Sequence, residues 1–345
     1  MRKVLSLVIP TYNMQEYLHR CLTSLIVSLD KLDLYEVLVI NDGSKDDSLF
    51  IAQGFKTKYP NTFRVIDKEN GNYGSCVNRG LLEAQGKYIK ILDADDWFDT
   101  VAFSAYLDLL QTVDVDLVLT PYCIHNEYDG SIRTIMQRLP KNKCFEFDSF
   151  PKESIFRYSM HMVTYQTDLL RQNLYFQTEG ISYTDTEWTH IPQYYIKNFV
   201  YFPTPVYQYM LGREGQTMDS SILARDIWKY EVICKSLITN RNKFNRNKDY
   251  SLADELNIQQ IHFLASCIYR ILLIRSNSSQ EDIDHLKEFD NYLLEQCRQV
   301  YKSTDEILLK KKLPIRYIHL WRSSGYRFPF LFFRKLYQVI KRGNV

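Results

Sequence analysis

The sequence predicts an α/β fold: a mostly parallel sheet flanked by helices, followed by a helical C-terminal region. Over the first 120 residues, short apolar runs alternate with stretches in which apolar residues recur at helical spacing. Short polar joints separate these segments, an alternation typical of parallel strands covered by helices. Beyond residue 226 only the helical spacing continues. For a chain of 345 residues we therefore expect two domains, at residues 1–220 and 221–345.

The individual elements follow from this alternation. The first strand is predicted at residues 4–9 because its apolar run ends at Pro10, and the first helix follows because Leu18, Cys21 and Leu22 share one face. The other apolar runs predict strands at 36–40, 63–66, 87–92 and 116–119, and the other helical spacings predict helices at 46–58, 75–85, 101–111, 228–238, 256–273 and 283–301. Residues 122–220 lose the alternation.

Composition excludes several classes of protein. The 43 basic residues nearly balance the 41 acidic ones, which argues against a dedicated nucleic-acid binder. The seven cysteines are odd in number and scattered, and no two of them form a Cys-x-x-Cys pair, so we expect reduced thiols in a cytoplasmic protein. The first apolar run is too short for a signal peptide, and no apolar stretch approaches the ~20 residues of a membrane span.

Polar loops follow four of the predicted strands. They are residues 10–13, 41–44, 67–74 and 93–96, all acidic or rich in Asn and Gly. Ligands of such sheets bind beyond the carboxyl ends of the strands, so the four loops together indicate one nucleotide-sized site. The first joint reads PTYN rather than the Gly-rich dinucleotide fingerprint, and the loop 71–75 lacks the Lys-Ser/Thr of a P-loop. NAD, FAD and NTP hydrolysis are therefore disfavoured.

Two carboxylates spaced by one residue leave the fourth of these strands. Asp93 and Asp95 could splay around one hard cation, and Mg²⁺ or Mn²⁺ bound by one or two carboxylates keeps positions free for substrate phosphates. The alternative is an Asp-rich turn that caps a helix. We expect Asp96 to cap the following segment rather than to bind the ion.

Several segments, taken in order, resemble one family. The segments are VIPTYN, VINDGSKDDS and NGNYGSCVNRGLLEAQGKYIKILDADDW, then GISYTDTEW and YQYMLGREGQT. Together they resemble the family-two glycosyltransferases over residues 4 to about 120, with two shorter matches beyond. The resemblance implies a GT-A-like, Rossmann-type fold and an inverting, metal-dependent enzyme that uses a nucleotide-diphosphate sugar. The C-terminal third shows no signature of this family.

The resemblance also implies roles for individual residues in binding the nucleotide-sugar. Pro10, Thr11 and Asn13 would line the base and ribose pocket. Asp42 would accept from the uracil imide N–H, which selects UDP, although an Asp in NDGS is also a common turn residue.

Further along the same motif, Asn78 matches the Asn of the family's A-R-N-x-G segment, while Val77 replaces the preceding Arg. Arg79 either supplies the missing phosphate contact or is a solvated helix residue. Asp93 would lie near the ribose or the donor sugar, and Asp95 would ligate Mg²⁺ or Mn²⁺.

The second acidic cluster, in YTDTEW, would supply the base that transfer to a hydroxyl requires. Asp185 matches the family's catalytic aspartate, and Glu187 is its rival. The alternative is a helix-capping box with Trp188 in the core. Arg213, in the loop after residue 211, would reach the pyrophosphate or lie in a surface turn. The two histidines His161 and His190 are interpreted as packing residues.

These features predict transfer of a hexose from a UDP-sugar to a sugar hydroxyl of a lipid-linked acceptor, in bacterial surface-polysaccharide synthesis. A catalytically degenerate sugar-nucleotide-binding partner and a nucleotidyltransferase are the alternatives, and the oligomeric state stays open. Residues 310–345 contain no Asp or Glu, and their basic residues alternate with aromatic ones. Such a tail suits an anionic membrane surface, here the inner face of the cell membrane, or packs as a helix with a basic outer face.

Overall fold

The structure is a computed structural model that describes residues 3–137, 139–141, 143–149, 159–212, 226–244, 252–275, 279–310 and 313–327. Arg213, Lys311, Lys312 and the tail from residue 328 onward lie outside the described residues. The chain divides into two compact units, residues 1–216 and 217–345.

In the first unit, strands and helices alternate up to the fourth helix, as the sequence predicts. The strands are β1 (Leu5–Thr11), β2 (Tyr35–Asn41), β3 (Phe63–Asp67), β4 (Tyr88–Ile91), β5 (Trp97–Phe98), β6 (Leu117–Leu119), β7 (Tyr122–Asn126), β8 (Ile132–Ile135), β9 (Cys144–Glu146), β10 (Val163–Gln166), β11 (Asn198–Tyr201) and β12 (Tyr207–Leu211). The helices are α1 (Gln15–Ser24), α2 (Ser48–Lys58), α3 (Asn72–Glu83), α4 (Thr100–Thr112), α5 (Thr167–Gln172) and α6 (Asp185–His190).

The main sheet has the strand order β3-β2-β1-β4-β10-β6-β11-β9. Its first four strands are parallel, so their carboxyl ends meet at one edge. Strand β10 runs antiparallel between β4 and β6, so the sheet is mixed there. A second sheet has the strand order β5-β12-β7-β8, and three of its strands, β7, β8 and β12, come from the region in which the sequence loses its alternation. The predicted α/β class, with its mostly parallel sheet and helical C-terminal region, is confirmed.

Burial explains why these segments form strands and helices. All seven residues of β2 are buried, as expected for a central parallel strand covered on both faces. Leu18, Cys21 and Leu22 form the buried face of α1. Helix α4 begins after Asp99, whose carboxylate accepts from the backbone N–H of Ala102 at 2.8 Å. The expectation that Asp96 caps this segment is therefore wrong, because Asp99 is the cap.

The second unit is helical and has its own buried polar centre. Its helices are α7 (Ile227–Phe244), α8 (Leu252–Arg270), α9 (Gln280–Gln296), α10 (Arg298–Thr304) and α11 (Tyr317–Ser323), with a hairpin of β13 (Leu308–Lys310) and β14 (Leu313–Arg316). The Arg322 guanidinium donates to fully buried Asp290 at 2.6 Å and to Asp305 at 2.8 Å. Tyr269 also donates to Asp290, so the buried charge is hydrogen-bonded on several sides.

Within the described ranges, no helix combines the length and the apolar character needed to cross a lipid bilayer.

The packing of α3 on β1 yields a stability prediction. A Cβ added at Gly80 would lie 2.4 Å from Cγ1 of Val8, so Gly80→Ala should lower the free energy of unfolding by about 1–3 kcal/mol. Gly54, on exposed α2, has nothing within 4 Å of such a Cβ, so Gly54→Ala should raise it by up to ~1 kcal/mol. Urea titration of both variants measures this contrast, and an unchanged midpoint for Gly80→Ala would contradict the close packing.

Candidate active site

The four predicted loops meet at the carboxyl edge of the parallel strands. Backbone N–H of Asp42 donates to the carbonyl of Thr11 at 2.8 Å, which joins the loops after β1 and β2. Asn13 adopts a left-handed conformation with φ 53°, and its side chain accepts from backbone N–H of Lys45 at 2.8 Å. Tyr12, which lies between Thr11 and Asn13 in the same loop, is 47% exposed. An exposed aromatic ring at this position is suited to stacking, a role that the sequence analysis did not assign.

Asp42 links the loops after β2 and β3. Its Oδ1 accepts from the ammonium of Lys68 at 2.5 Å and from backbone N–H of Gly71 at 2.9 Å. Asn70 donates to the Asp42 carbonyl at 2.9 Å. Asp42 is almost fully buried, so its charge depends on these donors. Asp42 therefore joins the loop after β2 to the loop after β3, whereas an ordinary turn aspartate bonds only within its own loop.

The acidic loop after β4 is held by aromatic hydroxyls. Tyr73 donates to Asp93 Oδ1 at 2.8 Å, and Tyr207 donates to Asp96 Oδ2 at 2.6 Å. Backbone N–H of Met210 donates to the other Asp96 oxygen at 2.7 Å. Burial, with the charges of Asp95 and Asp93, raises the pKa of Asp96 well above its ordinary value. Asp96 therefore anchors β12 to the loop.

Asp95 is nearly buried, and its main chain is fixed from α1. The guanidinium of Arg20 donates to the Asp95 carbonyl at 2.7 Å and lies 4.0 Å from the ring centroid of Trp97. The shape of the acidic loop therefore depends on a cation from a different helix, a contact that the sequence did not indicate.

One group of side chains has the composition of a metal site. Ligand atoms of Asp93, Asp96 and His161 lie within 4.8 Å of one another. The His161 ring packs against Tyr207 and Tyr209, with centroid distances of 4.7 and 4.4 Å. Burial, with the nearby charge of Lys90, lowers the His161 pKa to about 3, so the imidazole is neutral at pH 7. His161 thus packs as interpreted from the sequence and also adjoins the carboxylates.

Lys90 is a fully buried cation beneath this cluster. Its ammonium donates to the carbonyls of His161 at 2.8 Å and Val163 at 3.1 Å, and burial lowers its pKa to about 7. A lysine in the run Tyr88–Ile91 carries no sequence signal of such a role, because a charged residue in a short strand is ordinarily solvated.

Asp185 is the first residue of α6. Burial raises its pKa above the ordinary value, which suits a group that takes up a proton. Burial also raises the pKa of Tyr73, and the charges of Asp93 and Asp185 add to the effect. The Tyr73 phenol therefore lies within electrostatic reach of a carboxylate from each of the two acidic clusters of the sequence.

The second acidic cluster has two alternative interpretations, a helix-capping box and Glu187 as the base, and the structure bears on each of them. Thr184 precedes α6 without a side-chain capping bond, because its hydroxyl accepts from the Gln177 amide at 2.8 Å. Trp188 is fully buried, as the capping-box alternative expects. Glu187 is fully buried and accepts from Thr178 N–H and Oγ at 2.7 and 2.8 Å. Glu187 is thus committed to protein contacts.

The candidate binding residues on α3 make contacts that differ from those predicted. Asn78 bonds to both main-chain groups of Gln177 rather than projecting freely towards a ligand. Arg79 is exposed and pairs with Glu83 at 2.8 Å, while Val77 is fully buried. The cation that pairs with Asp42 is Lys68, which also donates to Ser75 Oγ at 2.9 Å.

The sequence of residues 6–174 matches the profile of the family described as glycosyl transferase family 2. The chain contains a family 2 glycosyltransferase domain. This domain includes β1 to β4 and α1 to α5, and therefore the loops that carry Asp42, Asp93 and Asp95.

The glycosyltransferase domain has bacterial relatives. The chain is 35% identical over 128 residues to the putative glycosyltransferase EpsH of Bacillus subtilis, covering 36% of this chain and 35% of that protein. It is 24% identical over 327 residues to TarS of Staphylococcus aureus strain Mu50, a poly(ribitol-phosphate) beta-N-acetylglucosaminyltransferase, covering 92% of this chain and 53% of that protein. The chain thus spans about a third to a half of the length of these relatives.

A solved structure establishes the fold of the glycosyltransferase domain and its continuation. The crystal structure of S. aureus TarS residues 1–349 in complex with UDP-GlcNAc superposes with a TM-score of 0.69 at 18% identity. The match covers 99% of this chain and 92% of that one. The GT-A fold expected from the sequence is confirmed.

The ion pair between Lys68 and Asp42 yields a prediction. Lys68→Met and Asp42→Asn should show a coupling of about 1–3 kcal/mol in a double-mutant cycle of unfolding free energies, because the Asp42 carboxylate is buried. Lys31 and Asp108 form a pair of similar length, 2.6 Å, whose carboxylate is 57% exposed. The same cycle there should give less than ~1 kcal/mol. Equal coupling in both cycles would contradict the structural role of the Asp42 pair.

Proposed function

We propose that the protein is an inverting glycosyltransferase that moves a hexose from a UDP-sugar to a hydroxyl of a glycan acceptor. The observation that carries the proposal is the acidic loop at the carboxyl edge of the parallel strands in a family 2 domain, where Tyr73 donates to Asp93 and the charge of Asp185 contributes to the raised pKa of Tyr73. A raised pKa suits Asp185 to act as a proton acceptor, and the polar loops at this edge offer the hydrogen-bonding groups that a nucleotide would need.

The donor side of the proposal rests on the loops after β1 and β2. Pro10, Thr11 and Asn13 line the base and ribose region, with the exposed ring of Tyr12 available for stacking. Asp42 has one oxygen engaged by Lys68 and Gly71, and a carboxylate offers about four acceptor positions in all, so it retains capacity for an imide N–H. The solved TarS complex contains UDP-GlcNAc, which makes this donor the first to test.

The residues of the acidic loop fit a divalent cation. Carboxylate oxygens and a neutral imidazole are suitable ligands for Mn²⁺, and carboxylates alone suit Mg²⁺. Asp93 and Asp95 would hold it, with His161 near enough to contribute, whereas both oxygens of Asp96 already accept protein hydrogen bonds. When bound, the cation would neutralise charge on the departing diphosphate.

The chemical step needs one base. Asp185 would take the proton of the acceptor hydroxyl as its oxygen forms a bond to the anomeric carbon, and the bond from that carbon to the UDP oxygen would break. The electron pair leaves with UDP, so no second acid is required. Attack opposite the leaving group inverts the anomeric centre. Tyr73, fixed on Asp93, would shape the space between donor and base.

The remaining assignments concern the acceptor and the location. Arg213 would contact the pyrophosphate, and Asn78 would contact the nucleotide only if Gln177 and Glu179 release its amide. EpsH and TarS are bacterial proteins, and TarS is named for a poly(ribitol-phosphate) acceptor. A surface glycan on a lipid carrier is therefore the proposed acceptor class here, with the basic-aromatic tail holding the enzyme at the inner membrane surface.

The deciding assay measures UDP release from a panel of UDP-sugars, with and without Mn²⁺ or Mg²⁺ and with glycan acceptors. Metal-dependent release that increases with acceptor supports the proposal. Binding of a UDP-sugar without turnover favours the degenerate partner instead. Release of pyrophosphate from a sugar phosphate and UTP would identify a nucleotidyltransferase.

Asp185→Asn should lower kcat by about 10²–10⁴-fold while UDP affinity stays within about threefold, because the base is removed and the nucleotide loops are untouched. For the wild type, the acid limb of the kcat–pH profile should lie above the ordinary Asp range, since Asp185 must be deprotonated and its pKa is raised. Calorimetric UDP binding and initial rates measure both effects. Near-wild-type turnover would move the base elsewhere.

Two substitutions separate the possible metal ligands. Asp95→Asn should reduce metal-stimulated turnover at least about tenfold without unfolding the protein, if Asp95 is a ligand. His161→Phe keeps ring packing but removes both ring nitrogens, and it should raise the Mn²⁺ concentration at half-maximal rate only if His161 contributes. Metal titrations of activity with melting temperatures as a control distinguish the two. Normal turnover of either variant in chelator would refute a metal requirement.

A further inference from the structure

The connection between α5 and α6 is bound to α3 through one side chain. Asn78 Oδ1 accepts from backbone N–H of Gln177 at 2.9 Å, and its Nδ2 donates to the Gln177 carbonyl at 2.8 Å. The same Nδ2 donates to Glu179 Oε1 at 2.9 Å. A primary amide has two N–H donors, so both are used within the protein. This pattern differs from the nucleotide contact that the sequence predicts for Asn78.

Two glycines bring the same connection close to the beginning of α3. A Cβ at Gly74 would lie 2.0 Å from the Thr178 carbonyl oxygen, so only glycine permits this approach. Backbone N–H of Gly180 donates to the Gly71 carbonyl at 2.9 Å, with Gly180 at φ +79°. Residues 177–180 are therefore fixed along α3 at three points, and we refer to them as the clamp.

The opposite side of the clamp is bound to α6. Both carboxylate oxygens of Glu187 accept from Thr178, one from its N–H at 2.7 Å and one from its hydroxyl at 2.8 Å. The Gln177 side chain donates to Thr184 Oγ at 2.8 Å and accepts from the Tyr175 hydroxyl at 3.2 Å. Glu187 is fully buried, and these bonds offset the cost of removing its charge from water.

The geometry points to the clamp as the device that positions Asp185 relative to α3, with Asn78 and Glu187 as positioning residues. This inference rests on the proposed role of Asp185 as base. Asp185 begins α6, while α3 carries Tyr73 against Asp93, and Gly71 just before α3 donates to Asp42. The clamp therefore sets the distance between the base and the donor side. Misplacement of a reacting group by about 1 Å can cost about 10²-fold in rate.

A different role for Asn78 would be a direct ligand contact. Asn78 lies in the wall of a groove of about 830 Å³ beside α3, whose lining includes Leu82, Phe176 and Glu179 and adjoins Lys68. A ligand bound there would use Asn78 for affinity. The two roles differ in the kinetic parameter that a substitution changes.

The first test compares Asn78→Ala with Asn61→Ala, an exposed asparagine between α2 and β3 at the opposite edge of the sheet. For Asn78→Ala, kcat should fall about 10–100-fold while the donor KM and UDP affinity stay within about threefold. Asn61→Ala should match the wild type in both. A raised KM with unchanged kcat would overturn the positioning role and favour a ligand contact.

A charge rescue tests the pairing itself. Asn78→Asp keeps an acceptor for Gln177 N–H but places a carboxylate against Glu179 and the Gln177 carbonyl, so it should reduce kcat at least as much as Asn78→Ala. Adding Glu179→Gln supplies an N–H donor and removes the repulsion, so kcat should rise at least about threefold from the single variant. Glu179→Gln alone should be near wild type. Absence of rescue would contradict the geometry of the clamp.

Amide hydrogen exchange separates this inference from the proposed function. The amides of Gln177 and Thr178 donate to Asn78 and Glu187, so both should be protected in the wild type and exchange at least about tenfold faster in Asn78→Ala. Absence of UDP release from the wild type would refute the proposed function while leaving this measurement intact. Unchanged exchange in Asn78→Ala, in a folded protein, would refute the clamp.

Discussion

The site depends on how closely α3 approaches its neighbours. At Gly80 the helix lies against Val8 of β1, with no room for a methyl group. At Gly74 it lies equally close to the Thr178 carbonyl. Because protein interiors are close-packed and transmit displacement, a shift of α3 would move every group attached to it. Those groups include Tyr73, which holds Asp93, and Asn78, which holds the connection to α6.

The same region contains buried carboxylates, which need hydrogen-bond donors to offset the loss of water around their charge. Asp42, Asp96 and Glu187 are all nearly or fully buried, and each accepts at least two hydrogen bonds from fixed donors. Desolvation disfavours the charged form of an acid, and paired donors favour it, so each local environment sets a different balance. At Asp185 desolvation dominates and the pKa rises. Desolvation also raises the pKa of Asp96, although Tyr207 and Met210 donate to its carboxylate.

The order of strands and helices and the loops of the site could be predicted from the sequence, because both depend on residues that are close together in the chain. Apolar runs and helical spacings are properties of neighbouring residues, and parallel strands bring their carboxyl ends together without further information. The first four strands, and the loops that carry Thr11, Asp42 and Asp93, follow directly. The antiparallel insertion of β10 did not, since its pairing with β4 depends on residues about 75 positions apart.

The roles that sequence reasoning missed are long-range in the same sense. Asn78 and Gln177 are 99 positions apart, and Lys90 and His161 are 71 apart. A motif identifies a residue type at a spacing but not which of its polar atoms are already used. Asn78 matches a family segment and still directs its amide to the chain itself. For Asp96, the local capping rule was plausible, yet Tyr207 and Met210 are its partners.

Two sets of contacts, one to Asp42 and one made by Tyr73, lie on different sides of α3 and are connected through its backbone. On one side, Gly71 N–H and Lys68 converge on Asp42, where a nucleotide would be recognised. On the other, Tyr73 donates to Asp93, and the charge of Asp185 contributes to the raised pKa of Tyr73. Gly71 directly precedes α3 and Tyr73 lies in its first turn, so binding on one side would order the same stretch of backbone that positions the other. Such sharing would suit the proposed transfer reaction. The structure that holds the donor would also place the base, which would limit hydrolysis of the donor.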